Sequence, residues 1–147
     1  MIKRIDLSDD AVLDEVFTVQ RLGYAVEAEI IGFDRIPGLL ESRDDLRATQ
    51  HEFLGYYDEE GLAGAIAFVR TESELDICRM FVHPRAHRRG IASQLIDAAG
   101  PAERTIVSTG TKNEPALRLY RKHGFVEIGT REVAPGVSIT ELVRENH

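Results

Sequence analysis

The first third of the chain carries hydrophobic residues at two different spacings. Residues 2–7 divide into two alternating sets, Ile2, Arg4 and Asp6 against Lys3, Ile5 and Leu7, which suits a short strand. Ser8 fits a helix N-cap, and we expect Gly23 to end the helix that follows. One apolar stripe supports that helix: Val12, Val16, Val19 and Leu22. Residues 24–47 show no clear period, and their Gly and Pro residues predict a loop and then a short helix over about 39–47.

The rest of the chain alternates between strand-like and helical patterns. Three strand-like runs, separated by the turn sequences "EEG" and "TESE", predict a β-meander over residues 51–82. A helix over 90–100, a buried strand over 104–110 and a second helix over 113–124 follow. Two further strand-like runs, joined by "APG", predict a closing hairpin. The predicted fold class is therefore α/β.

Composition limits the classes of protein that the chain can belong to. Its 147 residues are expected to form one domain, residues 1–147, and 43% hydrophobic with 29% charged residues is typical of a globular fold. The formal net charge of −7 argues against a nucleic-acid partner. The sequence contains no run of about 18 apolar residues, the length that a membrane-spanning helix needs. The N-terminus lacks the apolar core of a signal peptide. We therefore expect a cytoplasmic protein with no membrane partner.

The cysteine and histidine residues indicate neither a disulfide nor a metal site. Cys78 is the single cysteine, so it has no intramolecular partner, and CxxC spacing is absent. His83 and His87 are four residues apart, but Pro84 between them opposes the helix that would bring them together. We expect no metal.

A basic stretch, "HPRAHRRGIASQLI" at residues 83–96, stands out in this acidic chain. A predicted strand leads into it, and a predicted helix begins just after Gly90. A glycine loop before a helix N-terminus presents free backbone N–H groups to an anion such as a phosphate. The alternative is a solvated basic loop before an ordinary helix. The stretch alone leaves both interpretations open.

Two motifs in the right order make the chain resemble the GNAT superfamily of acyl-CoA-dependent N-acetyltransferases. The first motif is read in Met80-Phe81-Val82, Pro84 and His87-Arg88-Arg89-Gly90-Ile91-Ala92. The second motif is read in Asn113, Ala116, Leu119, Tyr120, Gly124 and Phe125. The resemblance covers roughly residues 60–143. It departs from the family at His87, where Gln or Arg is usual, although imidazole still donates to an oxygen anion.

The resemblance implies a fold and a cofactor site. The fold is a mixed, mostly antiparallel central sheet of about seven strands flanked by about four helices, with a splay between the fourth and fifth strands. The co-substrate is acetyl-CoA, without a metal. Its diphosphate would rest on the loop residues His87, Arg88, Arg89, Gly90, Ile91, Ala92 and Ser93. Its pantetheine arm would lie along Met80, Phe81 and Val82, with Asn113 as a further contact or simply a helix cap.

The resemblance also implies catalytic residues. Tyr120 would protonate the CoA thiolate. The alternative is that Tyr120 has only a structural role, as a tyrosine packed in the core. Asp76 is the candidate general base, with Glu74 as the alternate. The two-residue period of a strand would place Asp76 on the face of Cys78, Met80 and Val82. Four residues are candidates for binding a cationic acceptor: Tyr24, Glu27, Glu29 and Tyr56. For each of them the alternative is an ordinary surface or core residue.

The expected function is direct transfer of an acetyl group from acetyl-CoA to a primary amine of a small molecule or peptide in a ternary complex. Three alternatives stay open: a different acyl donor, a GNAT-like module that binds or senses acyl-CoA without turnover, and an interaction protein whose arginine loop docks an acidic partner. The closing hairpin offers an edge through which a homodimer could form. The identity of the amine is not encoded in any motif.

Overall fold

The structure, a computed structural model, describes residues 1–146 and forms one seven-stranded sheet in the order β1-β2-β3-β4-β5-β7-β6. The strands are β1 (Ile2–Arg4), β2 (Glu52–Asp58), β3 (Gly61–Arg70), β4 (Glu74–Val82), β5 (Arg104–Gly110), β6 (Val126–Ala134) and β7 (Val137–Glu145). The helices are α1 (Asp10–Ile31), α2 (Pro37–Leu40), α3 (Arg43–Arg47), α4 (Ile91–Ala99) and α5 (Glu114–Lys122), with one 3₁₀ turn at Pro84–Ala86. The predicted seven strands, their order along the chain and the α/β class are confirmed, and there are five α-helices in this part of the chain rather than about four.

Apolar side chains bury both faces of the sheet. One core cluster lies where α4 and α5 cover the sheet, and it includes Leu95, Leu117 and Tyr120. A second cluster on the other face is built around α1 with Leu13 and Val16. The functional elements at the end of β4 therefore have packed helices on both sides. No helix in residues 1–146 is long and apolar enough to cross a membrane.

Helix α1 is longer than the sequence predicts. It begins after Asp9, whose side chain accepts hydrogen bonds from the N–H groups of Ala11 and Val12, and it ends at Gly32 with φ +69°. The predicted N-cap at Ser8 is wrong, since the Ser8 hydroxyl instead donates to the carboxylate of Asp6 over 2.7 Å. The predicted stop at Gly23 is also wrong. Helix α1 therefore carries its last two turns over the sheet.

Gly23 serves close packing of α1 on β4. A Cβ placed on Gly23 would lie 2.9 Å from the Cβ of Phe81 and 3.1 Å from the carbonyl oxygen of Val82. Real Cβ atoms do not come this close to their neighbours, so the absence of a side chain sets the distance between α1 and β4. Gly23, which the sequence suggested as the end of the helix, is thus the position where α1 contacts β4.

We expect Gly23→Ala to destabilise the protein, although alanine is the better helix former by about 1 kcal/mol. The steric conflict with β4 outweighs that gain, because overpacking a tight contact costs about 1–3 kcal/mol. Urea denaturation measures the change. Gly32→Ala, at a helix end with no heavy atom within 4 Å of its Cβ position, reports the cost of positive φ alone. A stabilised Gly23→Ala variant would contradict this packing.

The segment between α1 and β2 contains two short helices instead of the single one predicted over 39–47. Pro37 begins α2, and an extended Glu41 ends it. Ser42 then caps α3 through a capping box with Asp45. The break at Glu41 turns that carboxylate toward β4, where it takes part in the site.

A bulge and a splay interrupt the sheet at β4. Ala67 pairs with Arg79 while Phe68 pairs with Ile77, so Cys78 is the extra residue on β4. The parallel pairing of β4 with β5 runs only as far as Ile77 with Val107. Beyond that point the two strands separate, which confirms the predicted splay.

The bulge also reverses the side-chain alternation along β4. Ile77 lies in the same core cluster against which Met80 and Val82 pack. Asp76, next to Ile77, therefore points to the opposite face of the sheet. The prediction that Asp76 shares a face with Met80 and Val82 is wrong, because the bulge adds one residue and shifts the period of two.

One of the two edge strands of the sheet is β6, which is exposed over nearly its whole length. Val126, Ile128 and Val133 are large apolar residues on this strand that remain exposed. The hairpin of β6 and β7 confirms the predicted closing element. The homodimer through this edge stays a prediction.

Candidate active site

The loop before α4 presents an N-terminal helix end without a side-chain cap. Gly90 is the N-cap residue, with φ +74° and no side-chain hydrogen bond to the first turn. Arg88 has φ +66°, the one non-glycine residue with positive φ in residues 1–146. A Cβ built on Gly90 would have no heavy atom within 4 Å. The N–H groups of the first turn can therefore be approached closely by an anion, as the motif predicts.

Asp58 forms ion pairs with two of the arginines in this loop. Its carboxylate accepts hydrogen bonds from Arg85 at 2.7 and 3.1 Å and from Arg89 at 2.9 Å. The hydrogen bond from Arg85 is the main cause that holds the pKa of Asp58 far below its usual range. Arg85 also donates to Glu60 over 3.0 Å. Arg85 thus ties the loop to the β2–β3 turn, whereas Arg88 forms no ion pair within residues 1–146.

His87 lies against the end of β4. Its Nε2 atom is 3.3 Å from the carbonyl oxygen of Val82, and its side chain is exposed. The imidazole therefore joins the predicted diphosphate loop to the predicted pantetheine strand. Its contact with a diphosphate stays a prediction.

Ser93 and His123 connect the two motif helices. Nε2 of His123 is 3.0 Å from Oγ of Ser93, and Nδ1 of His123 is 3.6 Å from a carboxylate oxygen of Asp97. His123 sits at the end of α5, just before Gly124. This arrangement orients the hydroxyl of a predicted cofactor residue. The sequence pattern did not indicate His123, because 30 residues separate it from Ser93.

A cavity of about 370 Å³ opens at the splay between β4 and β5. It is bounded by α1, α2, α5 and the β6–β7 hairpin. The predicted site residues in its lining are Tyr24, Glu27, Met80, Asn113 and Tyr120. Four other predicted residues, namely Asp76, Glu74, Glu29 and Tyr56, are not part of that lining. The structure thus brings the predicted acid and Met80 to one cavity, and it leaves Phe81, Val82 and the predicted base outside the lining.

Tyr120 is the buried phenol of this cavity. Its side chain is 3% exposed, and its ring packs edge-on against Phe125 with 5.4 Å between the centroids. Burial raises the pKa of Tyr120 well above its usual value, and the nearby Tyr24 and Glu27 raise it further. The hydroxyl is therefore protonated at neutral pH and able to donate. Its catalytic role stays a prediction.

Glu27 on α1 lines the same cavity. Burial raises its pKa, and hydrogen bonds from Asn113, from the Gly110 backbone and from Thr109 partly offset that effect. Asn113 also accepts from the N–H of Ala116 at 3.3 Å, which confirms its predicted cap. Glu27 reaches β5 because α1 continues past Gly23. The sequence did contain a signal for this longer helix, because a helical spacing continues beyond Gly23 in Tyr24, Glu27 and Ile31.

Asp76 lies on the other face of β4, near His51. Burial raises its pKa, and the neighbouring Glu74 raises it further while His51 lowers it. A carboxylate with these surroundings can accept a proton. Because it does not line the cavity, it would reach an acceptor there only through intervening water. Its role as base stays a prediction.

An ion pair ties α2 to β4 at the floor of the cavity. Arg79 donates to both carboxylate oxygens of Glu41, one of them over 2.8 Å, and to the side-chain oxygen of Gln20 over 2.9 Å. Burial alone would raise the pKa of Glu41, but the hydrogen bonds from Arg79 and Gln20 lower it overall. The side chains of Arg79 and Glu41 are 11% and 15% exposed, so the pair is largely shielded from water.

We expect Glu41→Gln to lower the free energy of unfolding by about 3 kcal/mol, because it leaves the Arg79 charge buried without a counter-ion. The matched control is Glu52→Gln, which removes the partner of Arg4 from a pair whose side chains are 78% and 41% exposed. The control should change stability by about 0–1 kcal/mol. Urea denaturation of both variants measures the difference. Equal effects would contradict the shielding of the Arg79–Glu41 pair.

No group of His, Cys, Asp and Glu side chains within residues 1–146 is arranged to hold a metal ion. Cys78 is free and exposed at the β4 bulge. Burial of part of its thiol raises the pKa of Cys78, and Asp76 raises it further. A raised pKa leaves the thiol protonated, and a protonated thiol is a poor nucleophile.

Comparison with known proteins agrees with this geometry. A family model described as an acetyltransferase (GNAT) domain matches residues 49–127. The chain is 36% identical over 144 residues to UPF0157 protein YqkA of Bacillus subtilis (strain 168). That alignment covers 95% of this chain and 42% of the relative, so the chain spans less than half of the relative's length.

Two solved structures share the fold. The ribosomal-protein-S18-alanine N-acetyltransferase from Escherichia coli superposes with a TM-score of 0.76 at 13% identity, over 99% of this chain and 92% of that one. The PaiA N-acetyltransferase from Thermoplasma acidophilum, in complex with coenzyme A, superposes with a TM-score of 0.75 at 16% identity, over 99% and 98%. The family model covers more than half of the chain and contains the β4–α4 loop and the Tyr120 motif. The chain therefore belongs to the GNAT acetyltransferase domain family.

Proposed function

We propose that this protein transfers an acetyl group from acetyl-CoA to a primary amine by direct attack in a ternary complex. The observation that carries the proposal is the splay of β4 from β5. Strand β4 leads directly into the loop before the uncapped N-terminus of α4, and Tyr120 lines the cavity at the splay. An acyl-CoA whose diphosphate lies at Gly90 and whose pantetheine follows β4 would bring its thioester into the cavity.

The cofactor residues each have a distinct part in this proposal. Backbone N–H groups from Arg88 to Ser93 bind the diphosphate, since a helix N-terminus attracts negative charge. The backbone of Met80, Phe81 and Val82 pairs with the amides of the pantetheine as an added strand would. The splay leaves that part of β4 without β5 as a partner. A coenzyme A complex of a protein with the same fold supports the choice of cofactor class.

The chemistry follows from the groups at the splay. The amine nitrogen attacks the carbonyl carbon of the thioester, and the N–H near Val82 polarises that carbonyl as an oxyanion hole does. The tetrahedral intermediate collapses with cleavage of the C–S bond. Tyr120 protonates the leaving thiolate, and a carboxylate takes the proton lost by the amine. Because the pKa of Cys78 is raised, no acyl-cysteine intermediate is part of the proposal.

Initial-rate kinetics test the proposal. Thiol release should require both acetyl-CoA and an amine, and double-reciprocal plots should intersect as they do for a ternary complex. Parallel plots, together with an isolable acetylated protein, would contradict direct transfer. Saturable binding of acetyl-CoA without thiol release from any amine would favour a binding or sensing module instead.

A further inference from the structure

The charges that line the cavity leave one carboxylate without a cation. Arg79 and Glu41 neutralise each other. Burial and the nearby Arg79 lower the pKa of His51, while Glu41 and Asp76 partly offset this, so His51 is neutral, and its Nδ1 accepts a hydrogen bond from Arg79. In residues 1–146, no lysine, arginine or histidine pairs with Glu27. Among the described residues 1–146, Glu27 is therefore the carboxylate of the lining that has no cationic partner.

The surroundings of Glu27 also show where a cation would sit. The groups that lower its pKa, namely Asn113, the Gly110 backbone and Thr109, are neutral and lie on β5 and at the start of α5. Tyr24 and Tyr120 line the same cavity as Glu27, and the Glu27 carboxylate raises the pKa of both phenols. An ammonium group placed against Glu27 would stand beside the splay, within reach of an entering thioester.

The remaining walls are mostly apolar. They are formed by the end of α1, the segment before α2 and the β6–β7 hairpin, with Ile31, Phe33, Ile36, Val133, Val137 and Ile139. A cavity of about 370 Å³ lined in this way suits a small organic body with few polar groups. Within residues 1–146, the lining contains no second unpaired carboxylate, and its single arginine is already paired with Glu41.

We propose that the acceptor is a monoamine with an apolar body and no carboxylate, bound with its ammonium against Glu27. The inference rests on the proposed function and specifies the substrate class of the same site. A polyamine would place further charges against apolar walls. An amino acid would place its carboxylate near Glu27 or would have to displace Glu41 from Arg79, and unpaired buried charges are costly.

Glu27 has a chemical part in the step as well as a binding part. The ammonium donates one proton to the Glu27 carboxylate, and the free amine attacks the thioester carbonyl carbon. The new C–N bond forms, the C–S bond breaks, and Tyr120 gives its proton to the thiolate. The second amine proton passes through solvent to restore Tyr120, and Glu27 later releases its proton to water. The products are the N-acetyl amide, CoA thiol and one proton.

A matched set of acceptors tests the substrate class. Phenethylamine and phenylalanine share one body and differ by a carboxylate, and spermidine adds further charges. We expect phenethylamine to react with a kcat/KM that is higher than those of the other two amines by roughly 10- to 100-fold, the range of one or two charge-assisted contacts. If phenylalanine or spermidine reacts with an equal or higher kcat/KM, the inference is overturned and the proposed function still stands.

A charge-removing variant tests the residue. Glu27→Gln should lower kcat/KM with phenethylamine by at least roughly 10-fold, while acetyl-CoA affinity and melting temperature stay near those of the wild type. Glu29→Gln is the matched control, since Glu29 is exposed on the same helix and outside the cavity. Unchanged kcat/KM in Glu27→Gln overturns the inference, as does a loss confined to stability and acetyl-CoA affinity. If acetyl-CoA binds but none of these three amines reacts, the inference is overturned, and thiol release with other primary amines then decides the proposed function.

Discussion

Gly90→Leu is expected to weaken acetyl-CoA binding by roughly 100-fold or more. A side chain here would stand in the open space over the first turn of α4, where the proposal places the diphosphate. Blocking two charge-assisted hydrogen bonds from that turn would remove about 3 kcal/mol or more of binding free energy. Isothermal calorimetry with acetyl-CoA measures the loss.

The control for this variant is Gly136→Leu in the β6–β7 turn. Gly136 has φ +75°, nearly that of Gly90, and its Cβ position is likewise free of neighbours within 4 Å. Each substitution should cost about 1–2 kcal/mol of stability from the left-handed backbone alone. Only the change at Gly90 should affect acetyl-CoA binding. Equal affinities in the two variants would mean that the α4 N-terminus is not the diphosphate site.

Tyr120→Phe is expected to lower kcat by roughly 10²- to 10⁴-fold, the usual contribution of a positioned proton donor. The ring stays in place against Phe125, so acetyl-CoA affinity should remain near that of the wild type. The raised pKa of Tyr120 keeps its hydroxyl protonated, which is the state needed by an acid. Steady-state thiol release with a saturating acceptor measures the effect.

The comparison for Tyr120 is Tyr56→Phe on β2, a partly buried tyrosine outside the cavity. Its removal should leave kcat unchanged, so general effects of losing a phenol can be subtracted. Full turnover by Tyr120→Phe with the same acceptor would show that another group, or water, protonates the thiolate.

The elements that sequence reasoning placed well are those with a strong local period or cap. The strands β2 to β7, the helices α4 and α5, and the Asn113 cap each depend on residues close together in the chain. The splay followed from a resemblance in two motifs, and the pairing of β4 with β5 confirms it.

The elements that were misplaced depend on contacts across the fold. Gly23 resembles a helix stop in the sequence, and only its packing against Phe81 and Val82 explains why a glycine lies inside α1. No residue type in the sequence indicates the β4 bulge at Cys78, yet the bulge places Asp76 on the face of the sheet opposite to Met80 and Val82. Glu27 enters the cavity because α1 is long, and its partners on β5 and at the start of α5 are distant in the sequence.

The side chains and the backbone of the basic loop have different parts. Arg85 and Arg89 both form ion pairs with Asp58, as expected for charges that stabilise a loop. The uncapped turn after Gly90, and not the arginine side chains, is the feature that suits a diphosphate. The concentration of charge in the sequence therefore indicates the right loop, while the backbone carries the proposed binding.

Titration of the wild-type protein with acetyl-CoA tests the central claim most directly. We expect saturable one-to-one binding by calorimetry, together with a rise in stability of about 2.7 kcal/mol at a ligand concentration about 100 times the Kd. Absence of binding and of any melting shift at millimolar acetyl-CoA would contradict the claim that this protein uses that cofactor.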